Sequence, residues 1–444
     1  MYKNRERPCF TEWLQRTKGW KNLSSSINSE SERSLATIVS RSRYLAINNP
    51  YAKRGVNAIP SHVVRRGIIP NLPGTSKLEA ALKEWAGSNA CDFDGRHNLY
   101  GLQWLAMKAI VESGEVLIRR RLTKLDSRLD VPLQLQVLEP DFLDFGKPGT
   151  KQGIEFDSYG RRVAYWLFEE HPAEAGSKNR SSIRVPAADI IHAFETIRPG
   201  QIRGIPWLTP IIIRLKDFDE YEDAQLVRQK IAACLVGVIH DMEMDEPAGK
   251  IKEDEWSTFS PGSWEILPPG KTVTFNNPPT VQGYGEYTSQ QLHAISAGLM
   301  LPYEVLTNDY SQVNFSSSRM SLLEFYKSVE HWQWHIMIQQ VCNPIYGWFK
   351  DVAAILGIGN DATPVTWGLP KREYVDPMKE IKAQILSIRA GLTTLSNELR
   401  KSGEDPKELF EEYASDLALL DELGITLDSD PRIQRAIEET NERD

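Results

Sequence analysis

Residues 285–349, GEYTSQQLHAISAGLMLPYEVLTNDYSQVNFSSSRMSLLEFYKSVEHWQWHIMIQQVCNPIYGWF, predict two helices joined by a polar loop. The first helix is expected to end near Gly298, because Pro302 disfavours helix at the residue before it. The loop from Pro302 to Phe315 is rich in Asn, Asp, Ser and Tyr, which solvate backbone rather than fill a core. The sequence therefore predicts a polar loop held between two helices and presented to a partner.

The helix after this loop has one apolar face. Ser316–Ser318 offers an N-cap, and the apolar residues that follow recur at alternating spacings of three and four, which is typical of an amphipathic helix. They are Leu322, Phe325, Val329, Trp332 and Ile336. Pro344 is expected to kink or end this helix, because proline lacks a backbone donor and collides with the preceding turn.

The rest of the chain predicts a mostly helical α+β fold. Residues 1–35 are polar and predict a mobile arm, and residues 35–64 predict helix interrupted at Asn49–Pro50. Alternating apolar residues predict strands around 116–118 and 133–138, a hairpin over 154–168, and further strands at 190–194 and 365–369. Thr209–Pro210 is a helix start, with the helix expected to reach Ala233. Three short helices are predicted at the C-terminus, beginning at Pro377, after Thr394 and at Pro406.

The segment ISAGLMLPYEVLTNDYSQVNFSSSRMS, residues 295–321, resembles the connection between the inner stem helix and the long wing helix of lambda-like tailed-phage portal proteins. Other segments follow in the order of that family, and the resemblance covers about residues 40–415. These segments are Arg43–Ala52, Gly114–Val116, Gly204 and Ala390–Thr393.

The resemblance implies a portal fold with wing, stem, clip and crown, assembling into a ring. The corresponding boundaries are an arm (1–35), the wing (36–205), a stem helix (206–235), the clip (236–283), a second stem helix (284–300), a tunnel loop (301–316), the long wing helix with its return (317–375), a helical crown (376–427) and a polar tail (428–444).

The implied function is a homododecameric portal ring at a unique capsid vertex, the conduit for packaging and ejection of double-stranded DNA. The implied partners are the terminase large subunit, a head–tail connector or adaptor, the major capsid protein or a scaffold, and DNA passing without sequence readout. Because a separate terminase hydrolyses ATP, the chain is expected to be no enzyme and to hold no cofactor or metal. Its expected location is the virion, and the host cytoplasm during assembly.

Three groups of residues are candidates for this function. The tunnel loop is expected to meet DNA through Asn308, Asp309, Tyr310, Gln312 and Asn314. The first stem helix concentrates carboxylates that either form a solvated face or repel passing DNA: Asp217, Asp219, Glu220, Glu222 and Asp223. A docking surface on the clip is expected from Asp241, Glu243, Asp245, Glu246, Trp256 and Trp264.

The composition is typical of a folded chain, and the net charge argues against tight binding to nucleic acid. The chain of 444 residues has a net charge of −8, whereas tight phosphate binding relies on Lys and Arg. The N-terminal 66 residues are basic, so this arm either contacts scaffold, partner or DNA or is simply solvated. Cys9, Cys91, Cys234 and Cys342 are widely spaced, as expected of reduced thiols. No apolar run approaches the roughly 20 residues of a membrane span, and no signal peptide is expected.

Other chemistry has weaker support. Pro269–Thr272 resembles the end of a phosphate-binding loop, but Glu265 stands where glycine is needed and residues 273–275 predict strand rather than helix. His331 and His335 have the spacing of a helical metal pair without an apparent third ligand, and core or interface histidines explain them better. Residues 381–403 have the outline of a helix-turn-helix, which keeps a DNA-binding regulator as the alternative function.

Overall fold

The structure is a computed structural model. It describes residues 25–72, 77–123, 130–174, 181–233, 237–241, 271–275, 283–312, 314–359, 364–370, 377–401, 406–425 and 427.

Helices form most of the described chain. They are α1 (Ile27–Asn48), α2 (Pro50–Val63), α3 (Lys77–Gly87), α4 (Leu99–Ser113), α5 (Ile212–Ala233), α6 (Tyr284–Gly298), α7 (Tyr303–Thr307), α8 (Phe315–Trp332), α9 (Asn343–Ile355), α10 (Pro377–Arg389), α11 (Leu395–Lys401) and α12 (Pro406–Glu422). A π-helical segment, Gln333–Cys342, joins α8 to α9, and short 3₁₀ turns include Thr209–Ile211 before α5. None of the described helices combines the length and apolar character needed to cross a membrane.

The strands form four antiparallel sheets. They are β1 (Ile69–Asn71), β2 (Glu115–Leu122), β3 (Leu133–Leu138), β4 (Ile154–Phe156), β5 (Arg162–Phe168), β6 (Ser182–Pro186), β7 (Ile190–Phe194), β8 (Gly237–Asp241), β9 (Lys271–Phe275) and β10 (Thr366–Gly368). Two sheets have three strands, in the orders β3-β2-β7 and β4-β5-β6, and the pairs β1-β10 and β8-β9 form the others.

Strand β2 separates two hydrophobic cores. Its residues Val116 and Ile118 pack with the helices in the large core, whereas Leu117, on the opposite face, packs with Tyr165 and Leu167 in a smaller core between the two three-stranded sheets. This arrangement follows from the alternation of side chains along a strand. The α+β, mostly helical prediction is therefore confirmed for the described residues.

Helix α1 begins at Ile27, so the predicted mobile arm is wrong from that residue onward. The Ser26 hydroxyl caps the helix by accepting the Ser29 N–H at 3.2 Å. Asn28 donates to the Gly200 carbonyl at 2.9 Å and accepts the Ile202 N–H at 3.0 Å. These long-range contacts stabilise a polar helical turn, and composition gives no sign of them.

The sequence predicts a kink or an end at Pro344, and the end is wrong, because helix α9 runs through Pro344 to Ile355. In the π-helical segment each N–H reaches the carbonyl five residues back, as in the bond from Asn343 N–H to the Ile338 carbonyl. Pro344 consequently lies in the first turn of α9, where a missing backbone donor is tolerated.

Two predicted helix starts also shift. Thr209 does not cap α5 directly, since a 3₁₀ turn over Thr209–Ile211 intervenes, although the described part of the helix reaches Ala233. The N-cap of α8 is Asn314 rather than Ser316–Ser318. The break at Asn49–Pro50, the hairpin over 154–168 and the three C-terminal helix starts are confirmed.

Candidate functional site

The polar loop between α6 and α8 is shorter and better ordered than the sequence predicts. Its first part forms helix α7, whose Val305 and Leu306 are buried. Asn308 ends this helix in the left-handed conformation, with φ of 57°, a region that Asn tolerates better than most residues. The described and exposed part of the loop therefore consists of residues 308–312 and Asn314.

Arg54 on α2 holds the start of this loop. Its Nη2 donates to the Asn308 Oδ1 at 2.9 Å, and its Nε donates to the Val305 carbonyl at 3.0 Å. A planar guanidinium makes two such bonds in fixed geometry, so the position of the loop depends on α2. The sequence gives no sign of this role for Arg54, because its partners lie some 250 residues further along the chain.

Three of the five predicted loop residues maintain the shape of the loop. Asn308 accepts from Arg54, and Asn314 Oδ1 accepts the Ser317 N–H at 2.9 Å in a capping box. Asp309 Oδ1 accepts the Ser311 N–H at 3.0 Å, and hydrogen bonds from Ser311 lower the pKa of Asp309. All five predicted residues are exposed.

Tyr310 and Gln312 are therefore the loop residues best placed to contact a ligand. Both side chains point into solvent, and Tyr310 is 60% exposed. The Tyr310 phenol and the Gln312 amide form hydrogen bonds but carry no charge. They can therefore contact a polar surface without strong electrostatic attraction.

Helices α5 and α6 form an antiparallel pair. Arg214 Nη1 donates to the Gln291 Oε1 at 2.6 Å, and the Tyr221 ring lies 4.6 Å from the Tyr287 ring and 6.1 Å from the Tyr284 ring. Residues later in α5 thus meet residues earlier in α6, as an antiparallel register requires. Helix α5 connects the three-stranded sheets to the segment that contains β8 and β9, and α6 leads from that segment to the polar loop.

The five carboxylates of α5 do not share one environment. Asp217, Glu220 and Asp223 are exposed, whereas Asp219 and Glu222 are half-buried. Burial raises the pKa of Asp219, although its Oδ1 accepts a hydrogen bond of 2.7 Å from Asn49. Burial, reinforced by the neighbouring acids, also raises the pKa of Glu222. The three exposed acids present their carboxylates to solvent, and Glu220 lies 3.2 Å from Lys216 Nζ, which offsets its charge.

A buried ionic cluster joins the β-sheets to the segment that leads into α5. Glu115, His192 and Arg203 each expose about 1% of their side chains. Arg203 Nε donates to Glu115 at 2.8 Å, and its Nη2 makes a further short bond to the same carboxylate. Glu115 Oε2 also accepts the Gly204 N–H at 2.7 Å and lies 2.8 Å from His192 Nε2.

The protonation states in this cluster follow from its contacts. Burial acts to raise the pKa of Glu115, but the charge of Arg203 and the hydrogen bond from His192 outweigh it and lower the pKa to about 2. Burial lowers the pKa of His192, which is therefore neutral at pH 7 and donates its Nε2–H to the carboxylate. A buried charge paired and hydrogen-bonded in this way is costly to disrupt.

Two glycines let the backbone pass close to this cluster. A Cβ on Gly204 would lie 2.1 Å from the Gly114 carbonyl oxygen, and Gly114 has φ of 90°, which side chains disfavour. We call Gly114, Glu115, His192, Arg203 and Gly204 the joint. Gly114, Glu115 and Gly204 belong to the segments that resemble the portal family, but nothing in the sequence pairs Glu115 with Arg203.

The structure adds little support for the other candidate sites that the sequence suggests. Of the predicted clip surface only the backbone of Asp241 is described; Glu243, Asp245, Glu246, Trp256 and Trp264 lie outside the described residues. Lys271 and Thr272 lie in β9, so the strand predicted after them, which argued against a phosphate-binding loop, is confirmed. His331 and His335 are exposed with ring centres 4.6 Å apart.

Within the described residues, one group of three potential metal ligands was not expected: Glu139, Asp141 and His171. Arg43 Nη2 lies 2.6 Å from Asp141 and 3.5 Å from Glu139, so a guanidinium already neutralises the carboxylates. His171 Nε2 lies 3.4 Å from Glu139. These side chains form an ion-pair cluster around Arg43, which is the first residue of one of the segments that resemble the portal family.

The described residues of the site thus comprise a buried ionic joint, an antiparallel helical pair and an exposed polar loop. Residues 14–333 match the sequence model of the family described as phage portal protein, lambda family, and the chain belongs to that family. Its members are structural components of the virion, not enzymes. The helix-turn-helix regulator has no comparable support.

Comparisons with individual proteins agree. The chain is 26% identical over 428 residues to the probable portal protein of Halomonas phage phiHAP-1, covering 88% of this chain and 81% of that protein. It is 23% identical over 384 residues to portal protein B of Escherichia phage lambda, covering 75% and 72%. The fold resembles a chain from the neck of a native gene transfer agent particle, with a TM-score of 0.52, 14% identity, and coverage of 84% and 94%.

Proposed function

We propose that this chain is one subunit of a closed ring at a unique capsid vertex, most simply a homododecamer, through which double-stranded DNA enters and leaves. Membership of the portal family supports this proposal, as does the similar fold of a neck subunit in a particle computed with C12 symmetry. A head-to-tail interface closes into a ring when the rotation between subunits divides a full turn. In this proposal residues 36–205 are the wing, 236–283 the clip and 376–427 the crown.

The observation that carries the proposal is the α5–α6 pair followed by a loop of fixed shape. We assign α5 and α6 to the channel wall and residues 308–314 to its lumen. Arg54 holds the loop at its first residue and the Asn314 capping box holds it at its last. A loop fixed at both ends keeps the same projection in every subunit, as a ring of identical contacts requires.

The chemistry of this surface suits passage rather than capture. Tyr310 and Gln312 provide neutral contacts, and the exposed acids Asp217 and Asp223 repel phosphate, whereas Lys216 offsets the charge of Glu220. Tight binding would instead need lysine and arginine along the path, with the strong salt dependence that they bring. DNA in contact with such a wall is free to slide.

The proposed partners follow from the same assignment. The clip would bind the terminase large subunit during packaging and a head–tail connector afterwards, and the wing would contact the major capsid protein or scaffold. ATP hydrolysis belongs to the terminase, so the chain itself acts through shape.

Electron microscopy of the purified full-length chain, combined with native mass measurement, tests the proposal. We expect closed rings with a central opening and a mass that is an integral multiple of the 50.4 kDa subunit. A chain that stays monomeric or dimeric at every concentration and salt would contradict it.

The loop assignment has its own test in the same rings. Tyr310→Cys labelled with a gold or maleimide probe should place density at the central opening. Tyr159→Cys is the control, because Tyr159 is highly exposed but lies in the turn between β4 and β5, so its label should appear elsewhere. Label from Tyr310→Cys at the outer edge would refute the assignment.

A further inference from the structure

The three C-terminal helices bury very little of their apolar surface within one chain. No residue of α10 is buried, and Met378, Ile381 and Ile385 are all exposed, Met378 by 67%. Phe410 and Tyr413 on α12 are exposed in the same way. Helices this short are marginal in water by themselves, because most helical stability comes from packing an apolar face.

The apolar residues of α10 and α12 form matching seams. Four apolar residues of each helix have this arrangement: Met378, Ile381, Ile385 and Ile388 on α10, and Phe410, Tyr413, Leu417 and Leu420 on α12. Ile388, Leu417 and Leu420 are half-buried, and the exposed Leu386 and Leu419 lie outside the seams. Each set has successive spacings of three, four and three, which is the a/d pattern of a two-helix seam. Both seams therefore have the periodicity needed to pack against another helix.

The two seams have opposite charges beside them. Lys382 and Arg389 follow the seam residues Ile381 and Ile388 directly, and both stand at the same heptad position, next to the seam of α10. Helix α12 is strongly acidic, and Asp416 precedes its seam residue Leu417. Charges next to a seam select the partner helix and its orientation. A basic seam and an acidic seam complement one another better than either complements itself.

Within one chain these complementary seams are not packed together. Among the described residues, α12 packs on α11, whereas α10 has no extensive contact with α12 or with the large core. Two copies related head to tail would bring α10 of one against α12 of the next, and each copy would keep one seam for each neighbour. Such a heterologous contact propagates around a ring instead of ending at a dimer.

We infer that α10 of each subunit packs its basic seam against the acidic seam of α12 in a neighbouring copy of this chain. This inference rests on the proposed ring and specifies one of its subunit interfaces. The C-terminal region then acquires its hydrophobic core from ring closure.

Disulfide trapping in full-length rings tests the pairing. In a chain with Cys9→Ser and Cys234→Ser, Ile385→Cys is combined in turn with Tyr413→Cys and with Leu417→Cys. Mild oxidation of at least one of these double variants should give a ladder of covalent oligomers on a non-reducing gel. Cys91 and Cys342 are buried and stay in place.

The matched control combines Ile385→Cys with Ser415→Cys, since Ser415 is exposed on the face of α12 away from the seam. It should give no ladder. Rings that yield only monomers, or a link within one chain, from both seam variants would overturn the inference while leaving the ring intact. An absence of rings under reducing conditions would instead count against the proposed function.

Hydrogen exchange on the unsubstituted chain gives an independent measurement. Amides of α10 and α12 should exchange at least tenfold more slowly in rings than in dissociated chains, whereas amides of α4, which is buried within one chain, should change little. Equal exchange of α10 and α12 in the two states would also overturn the inference.

Discussion

The joint and the C-terminal helices differ in how much of their stabilisation comes from contacts within one chain. At the joint, the ionic partners come from within one chain: Glu115, His192 and Arg203 are almost fully buried and bond to one another, although Arg203 Nη1 and His192 Nδ1 have no hydrogen-bond partner among the described residues. In α10 no residue is buried, and apolar side chains face solvent. The difference teaches that the α+β part is stabilised by contacts within one chain, whereas the C-terminal helices, under the interface inferred above, obtain their packing from a neighbouring copy.

The largest effect is expected from Glu115→Ala. This change leaves Arg203 as an unpaired buried charge, which costs about 3–5 kcal/mol of stability. Urea denaturation followed by tryptophan fluorescence should show the loss as a lower midpoint. The control is Glu155→Ala, because Glu155 pairs with Arg184 near the surface and should change the midpoint little. Equal midpoints for the two variants would show that the joint does not stabilise the fold.

The same carboxylate predicts a dependence on pH. The pKa of Glu115 is lowered to about 2 in the folded chain, below its ordinary value near 4.3. Its contribution is therefore fully present above that ordinary pKa and is lost as the pH falls from about 4.3 toward 2. Urea midpoints of the parent chain should fall more steeply over this window than those of Glu115→Ala. Parallel pH profiles would contradict the assigned ionisation.

A matched pair of isoleucines compares the two regions directly. Ile110 on α4 is fully buried in the large core, so Ile110→Ala should cost about 2–5 kcal/mol. Ile385 on α10 is 44% exposed, so Ile385→Ala should change the unfolding of the dissociated chain by no more than about 0.5 kcal/mol. Urea midpoints of both variants, measured on the monomeric fraction, check this. A comparable loss for Ile385→Ala would mean that α10 packs within its own chain.

The close backbone approach at the joint predicts a smaller loss for Gly204→Ala. Its Cβ would meet the Gly114 carbonyl at 2.1 Å, and relieving that overlap costs about 1–3 kcal/mol. Gly285→Ala on α6 is the control, since its Cβ meets nothing within 4 Å and helix propensity favours alanine there. Thermal unfolding should separate the two variants, and an unchanged melting temperature for Gly204→Ala would refute the packing described.

The smallest effect is expected at the loop. Arg54→Ala removes both bonds to residues 305 and 308 and should destabilise the loop locally by about 1 kcal/mol. Hydrogen exchange of amides 305–311 should accelerate about fivefold, with little change elsewhere. Lys53→Ala, at the neighbouring exposed position, should leave the exchange unchanged. Exchange unaffected by Arg54→Ala would show that α7 alone fixes the loop.

Much of this fold follows from local sequence. The turn residues 157–160 place the hairpin of β4 and β5, and the alternation in β2 assigns Val116 and Leu117 to opposite cores. Helix punctuation also gave the C-terminal boundaries, because proline and glycine act within a turn or two of their own position. Such features need no information from distant residues.

What the sequence did not reveal depends on long-range contacts. The first turns of α1 contain few apolar residues, and they are held by bonds to residues near 200. The π-helical segment before Pro344 and the Arg54 contact have the same character. At the candidate site the sequence identifies the loop residues. Their roles are visible only in the structure: Asn308, Asp309 and Asn314 shape the loop, whereas Tyr310 and Gln312 face solvent.

The glycine pair at the joint has a consequence for comparing relatives. Where Gly114 and Gly204 meet, backbone touches backbone with no side chain in between, so the distance between the two segments does not depend on any rotamer. A relative with glycine at both places should superpose on this crossing even where its surroundings have diverged. The backbone around Gly114 and Gly204 can therefore be used to superpose relatives. Differences in atomic position after that superposition would show how the rest of each subunit is tilted.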